Sequence, residues 1–249
     1  MELAIDSVGQ VSSVAVSERG RVLAEITWPT GRRHTPTLVP QIDAVCTAAS
    51  IERESLEAVF VDVGPGAYGG IRAGMAAAAA ICVARGLPAV GLSRLEIEAA
   101  AHAVAAGPIV ALHNAGRGQW AVGVYTGPAA HWREEAEPGL VTLPELARQL
   151  EALGEVGVLC GEVAGLGEDV IGHLSQLGWT VGGAAASMRR AGLLAELAWR
   201  ILDRGHAAGQ SFAPARLEPL YLREPAIGPQ QPVVGAPFPL GTSALETTE

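Results

Sequence analysis

Leu56-Glu57-Ala58-Val59-Phe60-Val61-Asp62-Val63-Gly64-Pro65-Gly66-Ala67-Tyr68-Gly69-Gly70-Ile71-Arg72-Ala73-Gly74 runs from an apolar segment through a glycine loop into an alanine-rich one. Residues 56–63 form a near-continuous apolar run, which predicts a strand buried on both faces. Gly64-Pro65-Gly66 ends it, and the spacing predicts a helix over 70–85. Residues 87–92 read as a second buried strand, and 94–105 as a second helix. Upstream, residues 1–6, 11–17 and 21–28 are short β-rich runs. Turn chemistry at Gly9-Gln10 and Arg19-Gly20 separates them and predicts an antiparallel meander. Thr37 reads as the cap of a helix running to about Ala49, which puts Pro40 in its first turn.

The order βββαβαβα implies a five-strand mixed sheet with helices on its faces. A ribonuclease-H-like or actin-like lobe is the obvious α/β candidate, and other α/β folds share the pattern. The second half repeats the order. Strands are predicted at 108–115, 119–125, 130–135 and 156–160, and helices at 143–153, 169–177 and 192–204. The expected organisation is therefore a duplicated α/β fold, with lobes at 1–107 and 108–224. Residues 225–249 carry Pro225, Pro229, Pro232, Pro237 and Pro239 without periodicity and read as a mobile tail.

Composition narrows the chemistry. The 249 residues carry a net charge of −9, and all 17 basic residues are arginine. Without lysine there is no Schiff-base enzyme and no G-x-x-x-x-G-K-[ST] phosphate loop. A GC-rich genome would write the same alphabet, with its 44 alanines and 31 glycines. The acidic balance argues against the chain by itself being the main nucleic-acid surface. Cys46, Cys82 and Cys160 are scattered in apolar segments, as buried free thiols in a reducing compartment would be. No basic leader and no apolar run of membrane-spanning length is present, so a cytoplasmic location is expected.

Gly64, Gly66 and Gly69 satisfy G-x-G-x-x-G, which raises a dinucleotide site with Arg94 facing an NADP phosphate. No acidic residue closes the next strand, and the motif follows the fourth strand, not the first of a βαβ unit. A structural tight turn is the plainer reading. Asp6-Ser7 ends the first strand as the phosphate hairpin of actin-like ATPases does, where an Asp positions Mg²⁺ or water. The matching second-lobe position is Asn114 beside His113, so the aspartate pair is missing. A free-standing ATPase or small-molecule kinase using Asp6 stays an alternative, as does the NADP enzyme. The six histidines show no H-x-x-x-H or H-E-x-x-H spacing, so no metal site is expected. Arg32, Arg33 and His34 form the one local basic cluster, read first as a solvated loop. The helix over 70–85 has only Arg72 and Arg85 as charges. A helix without a polar face is usually buried on both sides, so this one is expected to meet another subunit. Alanine bias alone would also bleach its outer face.

Taken in order, several motifs resemble the bacterial TsaB (YeaZ) family. They are Leu3-Ala4-Ile5-Asp6-Ser7, then Arg33 and His34 leading to Leu38-Val39-Pro40-Gln41-Ile42, then the 64–74 loop. Gly91-Leu92-Ser93-Arg94-Leu95-Glu96 and Pro219-Leu220-Tyr221-Leu222-Arg223 complete the set, which covers residues 1–224. The resemblance implies a duplicated actin-like fold. It also implies a non-catalytic role in making N6-threonylcarbamoyladenosine at position 37 of tRNA. Partners implied are a TsaD-type catalytic subunit, a TsaE-type ATPase, a second copy of the chain, and tRNA through the complex only. ATP would be used by the partners, with no cofactor or metal here. The implied interface is Arg33, His34, Leu38, Ile42, Arg72, Met75, Ala76 and Ala80. Asp6, Ser7, Gly64, Gly66 and Gly69 would be a vestigial phosphate loop. Two departures stand out. The family's G-P-G-S-F-T-G-L-R has Ala67, Tyr68 and Gly69 in place of its serine, phenylalanine and threonine. His113-Asn114 replaces an aspartate–alanine start to the second lobe. The lost hydroxyls remove hydrogen-bonding capacity from the loop.

Overall fold

The computed structural model describes residues 1–31, 34–105, 107–127, 132–153, 155–183 and 185–223. The first sheet holds β1 (Glu2–Asp6), β2 (Val11–Glu18), β3 (Arg21–Pro29), β4 (Ala58–Asp62) and β5 (Ala89–Leu92), in the order β3-β2-β1-β4-β5. The second holds β6 (Ile109–Gly116), β7 (Gln119–Thr126), β8 (Arg133–Thr142), β9 (Val158–Gly161) and β10 (Thr180–Val181), in the order β10-β9-β6-β7-β8. In each sheet three strands form an antiparallel meander, and two more add parallel to the first of them. Two mixed sheets with one topology are the duplicated actin-like lobes expected from the sequence.

Local chemistry sets the hairpins. Arg19 and Gly20 lie at φ +53° and +75°, the two positive values that a type I′ turn requires. The buried Glu2 carboxylate closes that turn, accepting from Arg19 N at 3.0 Å and Gly20 N at 3.2 Å. Arg117 and Gly118, at φ +56° and +73°, turn β6 into β7 the same way.

The strands of the first sheet alternate between two cores. Leu3, Ile5, Val14, Val59 and Val61 face α1 (His34–Ala48) and α2 (Tyr68–Arg85), meeting Leu38, Ile42, Val45, Ala78 and Cys82. Ala4, Ala15, Ala58, Phe60 and Val90 face the other way. They are covered by α6 (Ala191–Ala207) through Ala191, Leu194, Ala195, Ala198 and Leu202. Facing alanines on both surfaces let helix and sheet approach closely, and each large side chain buried there contributes about 1.5–3 kcal/mol. Thus a helix that follows the second sheet in sequence closes the first. The second sheet is covered by α4 (Leu143–Ala152) and α5 (Glu168–Gln176), through Leu146, Leu150 and Leu174.

The strand expected at 130–135 is β8 (Arg133–Thr142), and three further local expectations need correction. The first helix begins at His34, not after Thr37, so Thr37 lies inside it, where its hydroxyl accepts from Trp28 Nε1 at 3.3 Å. Pro40 therefore sits inside the helix, where its ring removes one intrahelical bond. The helix expected over 94–105 is α3 (Arg94–Ala100); beyond it, His102 N to Ala99 O and Ala105 N to His102 O are tight turns. The proline-rich tail lies outside the described residues.

The glycine loop is locked to the first hairpin by Ala67 N donating to Val8 O at 2.7 Å. A Cβ on Gly66 would stand 2.4 Å from Val8 O, while one on Gly69 would meet nothing. Gly66→Ala is expected to cost about 1–3 kcal/mol in urea unfolding, and Gly69→Ala less than about 0.5 kcal/mol. Equal effects would contradict this packing.

Candidate functional site

The carboxyl ends of the central strands meet between the lobes, the place where open α/β sheets hold ligands. Two crevices lie there, and they correspond under the duplication. In one, the hairpin after β1 (Gly9, Gln10, Val11) faces Glu162, which follows β9; its volume is about 320 Å³. In the other, the hairpin end of β6 (His113 to Arg117) faces the loop after β4 (Pro65 to Tyr68); its volume is about 560 Å³.

The floor of the first is a buried ion cluster. Asp6 ends β1, Asp62 ends β4, Glu98 lies on α3, and none is more than 2% exposed. Arg189, just before α6, places its guanidinium among them. Its Nε donates to Asp6 Oδ2 at 3.0 Å and lies 3.8 Å from Asp62 Oδ2, while Nη1 reaches Glu98 Oε1 at 3.4 Å. Arg94 continues the network, with Nε to Glu98 Oε1 at 2.9 Å and Nη2 to Glu162 Oε1 at 2.6 Å. Glu162 Oε2 lies 3.0 Å from His113 Nδ1 and accepts from Asn114 N at 2.9 Å. The lobes are thus joined through β6 and α3 by charge as well as by packing.

Burial and the neighbouring Asp6 charge push the Asp62 carboxyl well above its ordinary pKa, against the pull of Arg189 and of the Gly64 N–H. Asp62 Oδ2 has no hydrogen-bond partner among the described residues. Burial works against charge on Glu162 too. There the His113 hydrogen bond, the Arg94 charge and the Asn114 N–H outweigh it and hold the carboxyl well below the usual range. For Arg189, burial is outweighed by Asp6, Asp62 and Glu98, which keep the guanidinium charged. The Arg189 guanidinium thus occupies the space between the Asp6, Asp62 and Glu98 carboxyl groups.

The other residues singled out from the sequence fall in several places. Ser7 Oγ donates to Gly70 O at 2.8 Å, and Gly74 is small because a Cβ there would lie 2.4 Å from that hydroxyl. Gly64 N donates to Asp62 Oδ1 at 2.8 Å. The close backbone approach at Gly66 is made by the chain's own Val8. Arg94 is 3% exposed and engaged by two carboxylates, so it does not offer its guanidinium to an NADP phosphate as the second alternative needed. Leu38 and Ile42, at 2% and 3% exposure, turn into the core and leave the outward face of α1 to Pro36, Val39, Pro40, Ala44, Thr47 and Ala48, with Asp43 paired to Arg53 beside it. Met75 is half-buried against the same core. On α2 the outward residues are Arg72, Ala76, Ala80, Val83 and Ala84, with Val83 75% exposed. Arg33 lies outside the described residues, and of His34 only its place at the start of α1 is described. Among the described residues, no group of three metal-ligating side chains is arranged to hold an ion, and no helix is long and apolar enough to cross a membrane.

Fold and crevices define a duplicated actin-like protein. The family described as TsaD, tRNA N6-adenosine threonylcarbamoyltransferase, matches residues 21–147, and the chain belongs to it. A crystal structure from Pseudomonas aeruginosa, described as similar to peptidase YEAZ, superposes with a TM-score of 0.70 at 20% identity. The superposition covers 89% of this chain and 99% of that one. The tRNA threonylcarbamoyladenosine biosynthesis protein TsaB of Bacillus subtilis is 28% identical over 123 residues, 49% of this chain and 54% of that protein. An uncharacterised protein of Mycobacterium tuberculosis is 36% identical over 96 residues, 38% of this chain and 46% of that protein. The chain thus matches about half the length of these curated relatives. The resemblance to the TsaB (YeaZ) family stands.

Arg189 anchors the cluster, so Arg189→Met is expected to cost about 3–5 kcal/mol by leaving buried carboxylates unpaired. Asp62 behaves differently. A carboxyl whose folded pKa is raised contributes fully below its unfolded value of about 4, and that contribution declines as pH rises toward the folded value. Urea denaturation from pH 4 upward should show this decline in the wild type and not in Asp62→Asn. Identical pH profiles would contradict a raised Asp62 pKa.

Proposed function

We propose that this chain is a non-catalytic accessory subunit in the formation of N6-threonylcarbamoyladenosine at position 37 of tRNA. It docks on a TsaD-type catalytic subunit through α1 and α2, in the cytoplasm, with ATP handled by a TsaE-type partner. The observation that carries the reading is the outward face of α1 and α2. Val39, Pro40, Ala44, Ala76, Ala80 and Val83 make two neighbouring helices apolar on the side away from their core. Small side chains allow close helix approach, and the cost of leaving such a face in water favours a covering subunit. Membership of the threonylcarbamoyltransferase family and the likeness to Bacillus TsaB supply the class of partner. A second copy of the chain would use the same face in a homodimer.

The acidic crevice supports the lack of independent catalysis. Asp6, Ser7, Gly64, Gly66 and Gly69 keep the outline of a phosphate loop, but their polar atoms and close approaches serve the chain itself. An Asp6-dependent ATPase would need the space that the Arg189 guanidinium fills.

Co-purification with the TsaD-type protein of the same organism tests the reading. Wild-type chain should be retained, and Ala76→Glu or Ala80→Glu should release it, because each buries an unpaired charge worth several kcal/mol. Both variants should keep the wild-type circular dichroism, since the positions are exposed in the free chain. No retention of the wild type, or equal retention of the variants, would overturn the interface.

A further inference from the structure

The duplication pairs helices as well as strands, and the pairing is unequal. α4 follows β8 as α1 follows β3, and α5 follows β9 as α2 follows β4. In the first lobe these helices have 15 and 18 residues, and in the second 10 and 9. At about 1.5 Å per residue, α4 and α5 are roughly 8 Å and 14 Å shorter than their counterparts. α1 and α2 pack against each other over a common core. The second sheet keeps its apolar residues but has less helix to cover them.

Two recesses result, one on each side of α4. Between α4 and the sheet, Val122, Val124 and Val141 meet Leu146, Leu150 and Leu153 around a volume of about 320 Å³. Between α4 and α5, Leu150, Val156, Leu174, Leu177 and Trp179 line about 280 Å³. Leu153, Val156 and Leu177 stand 38%, 51% and 46% exposed at the rims. Acids border both recesses, Glu137 the first, and Glu151 and Glu155 the second. Residues 133–177 hold nine acidic residues and two arginines, so −7 of the chain's net charge of −9 lies in this stretch. Neither arginine neutralises the rims. Arg133 pairs with Glu135, and Arg148 turns back to Pro144 O at 3.4 Å.

Exposed apolar surface of this kind marks a binding face, and its charge narrows the occupant. RNA would be repelled, and so would a second copy meeting it with the same acidic face. The chain's own residues 224–249 carry three glutamates and no basic residue. What fits is a cationic segment with apolar side chains. The recesses lie on opposite sides of one helix, roughly 10 Å apart, which is the rise of about seven residues in an α-helix. We infer that this face docks a basic amphipathic helix of another protein across the C-terminal half of α4. Apolar side chains two turns apart enter the two recesses, and flanking lysines or arginines meet Glu137, Glu151 and Glu155. Docking of this kind takes all its anchors from one helical face. The site shares no residue with α1 and α2, so the inference stands whatever covers them.

Titration of the full chain with a helical peptide of about 18 residues tests it. The peptide is alanine-based, with two leucines about seven positions apart and flanking arginines, and a second peptide carries glutamate in place of arginine. The arginine peptide should bind at least tenfold more tightly than the glutamate one, about 1.4 kcal/mol. It should shift the methyl resonances of Val124, Leu150 and Leu153 and leave those of Val39 and Val83, on α1 and α2, in place. Glu137→Arg combined with Glu151→Arg should weaken binding tenfold or more. Glu52→Arg combined with Glu54→Arg, an equal charge change in the first lobe, should leave it unchanged. All four positions are exposed, so thermal unfolding should match the wild type. No binding, shifts at Val39 and Val83 instead, equal binding of the glutamate peptide, or insensitivity to the second-lobe pair would overturn the inference. So would the same methyl shifts on adding oligoadenylate, or a dimer of the free chain that Leu153→Arg dissolves.

Discussion

The Arg189 guanidinium is the constraint on which this structure turns. It lies between the ends of β1 and β4 and the flank of α3, and it is fixed immediately before the helix that closes the first sheet. Taking such ions out of water is expensive, and their attraction repays the cost only when each is well partnered. Here the repayment is shared across Asp6, Glu98, Arg94 and Glu162, while burial and the Asp6 charge disfavour the ionised form of Asp62. Such a cluster is weak as a source of net stability but strict in geometry. It registers α6 against the sheet, and through Glu162 it ties the second lobe to the first.

That strictness has a functional side. A duplicated fold offers two crevices at its strand ends, and the floor of one of them here is built around a cation the chain itself provides. The aspartate at the end of β1 becomes a structural ligand for arginine. The glycine loop packs on Val8. What remains exposed is the apolar face of α1 and α2 in one lobe and the acid-rimmed recesses beside α4 in the other.

Much of the fold was legible in the chain. Alternating short strands, a buried run ending at Gly64, and the repeat of that order fixed the class and the two sheets, because periodicity and turn chemistry are local signals. The helix of residues 68–85 was legible for the same reason. Other features were not local. Asp6 invites attention in any reading, but its partner lies 183 residues away with no motif around it. The amphipathic pattern of 191–207 announces a helix and is silent about which sheet it covers. Thr37 looks like a cap, but the helix already begins at His34, and Trp28, a neighbour only in the folded chain, donates to its hydroxyl. Leu38 and Ile42 were assigned to the surface with the motif that contains them, whereas their spacing puts them in the core and Val39 outside.

The central claim is that a tethered arginine closes the acidic crevice to metal-dependent phosphate chemistry. Electron paramagnetic resonance of Mn²⁺ added to the wild-type chain, without nucleotide, tests it most directly. The account predicts the spectrum of the free aqueous ion at ligand and protein concentrations where a metal-dependent ATPase would bind. A bound Mn²⁺ signal that disappears in Asp6→Asn would contradict it.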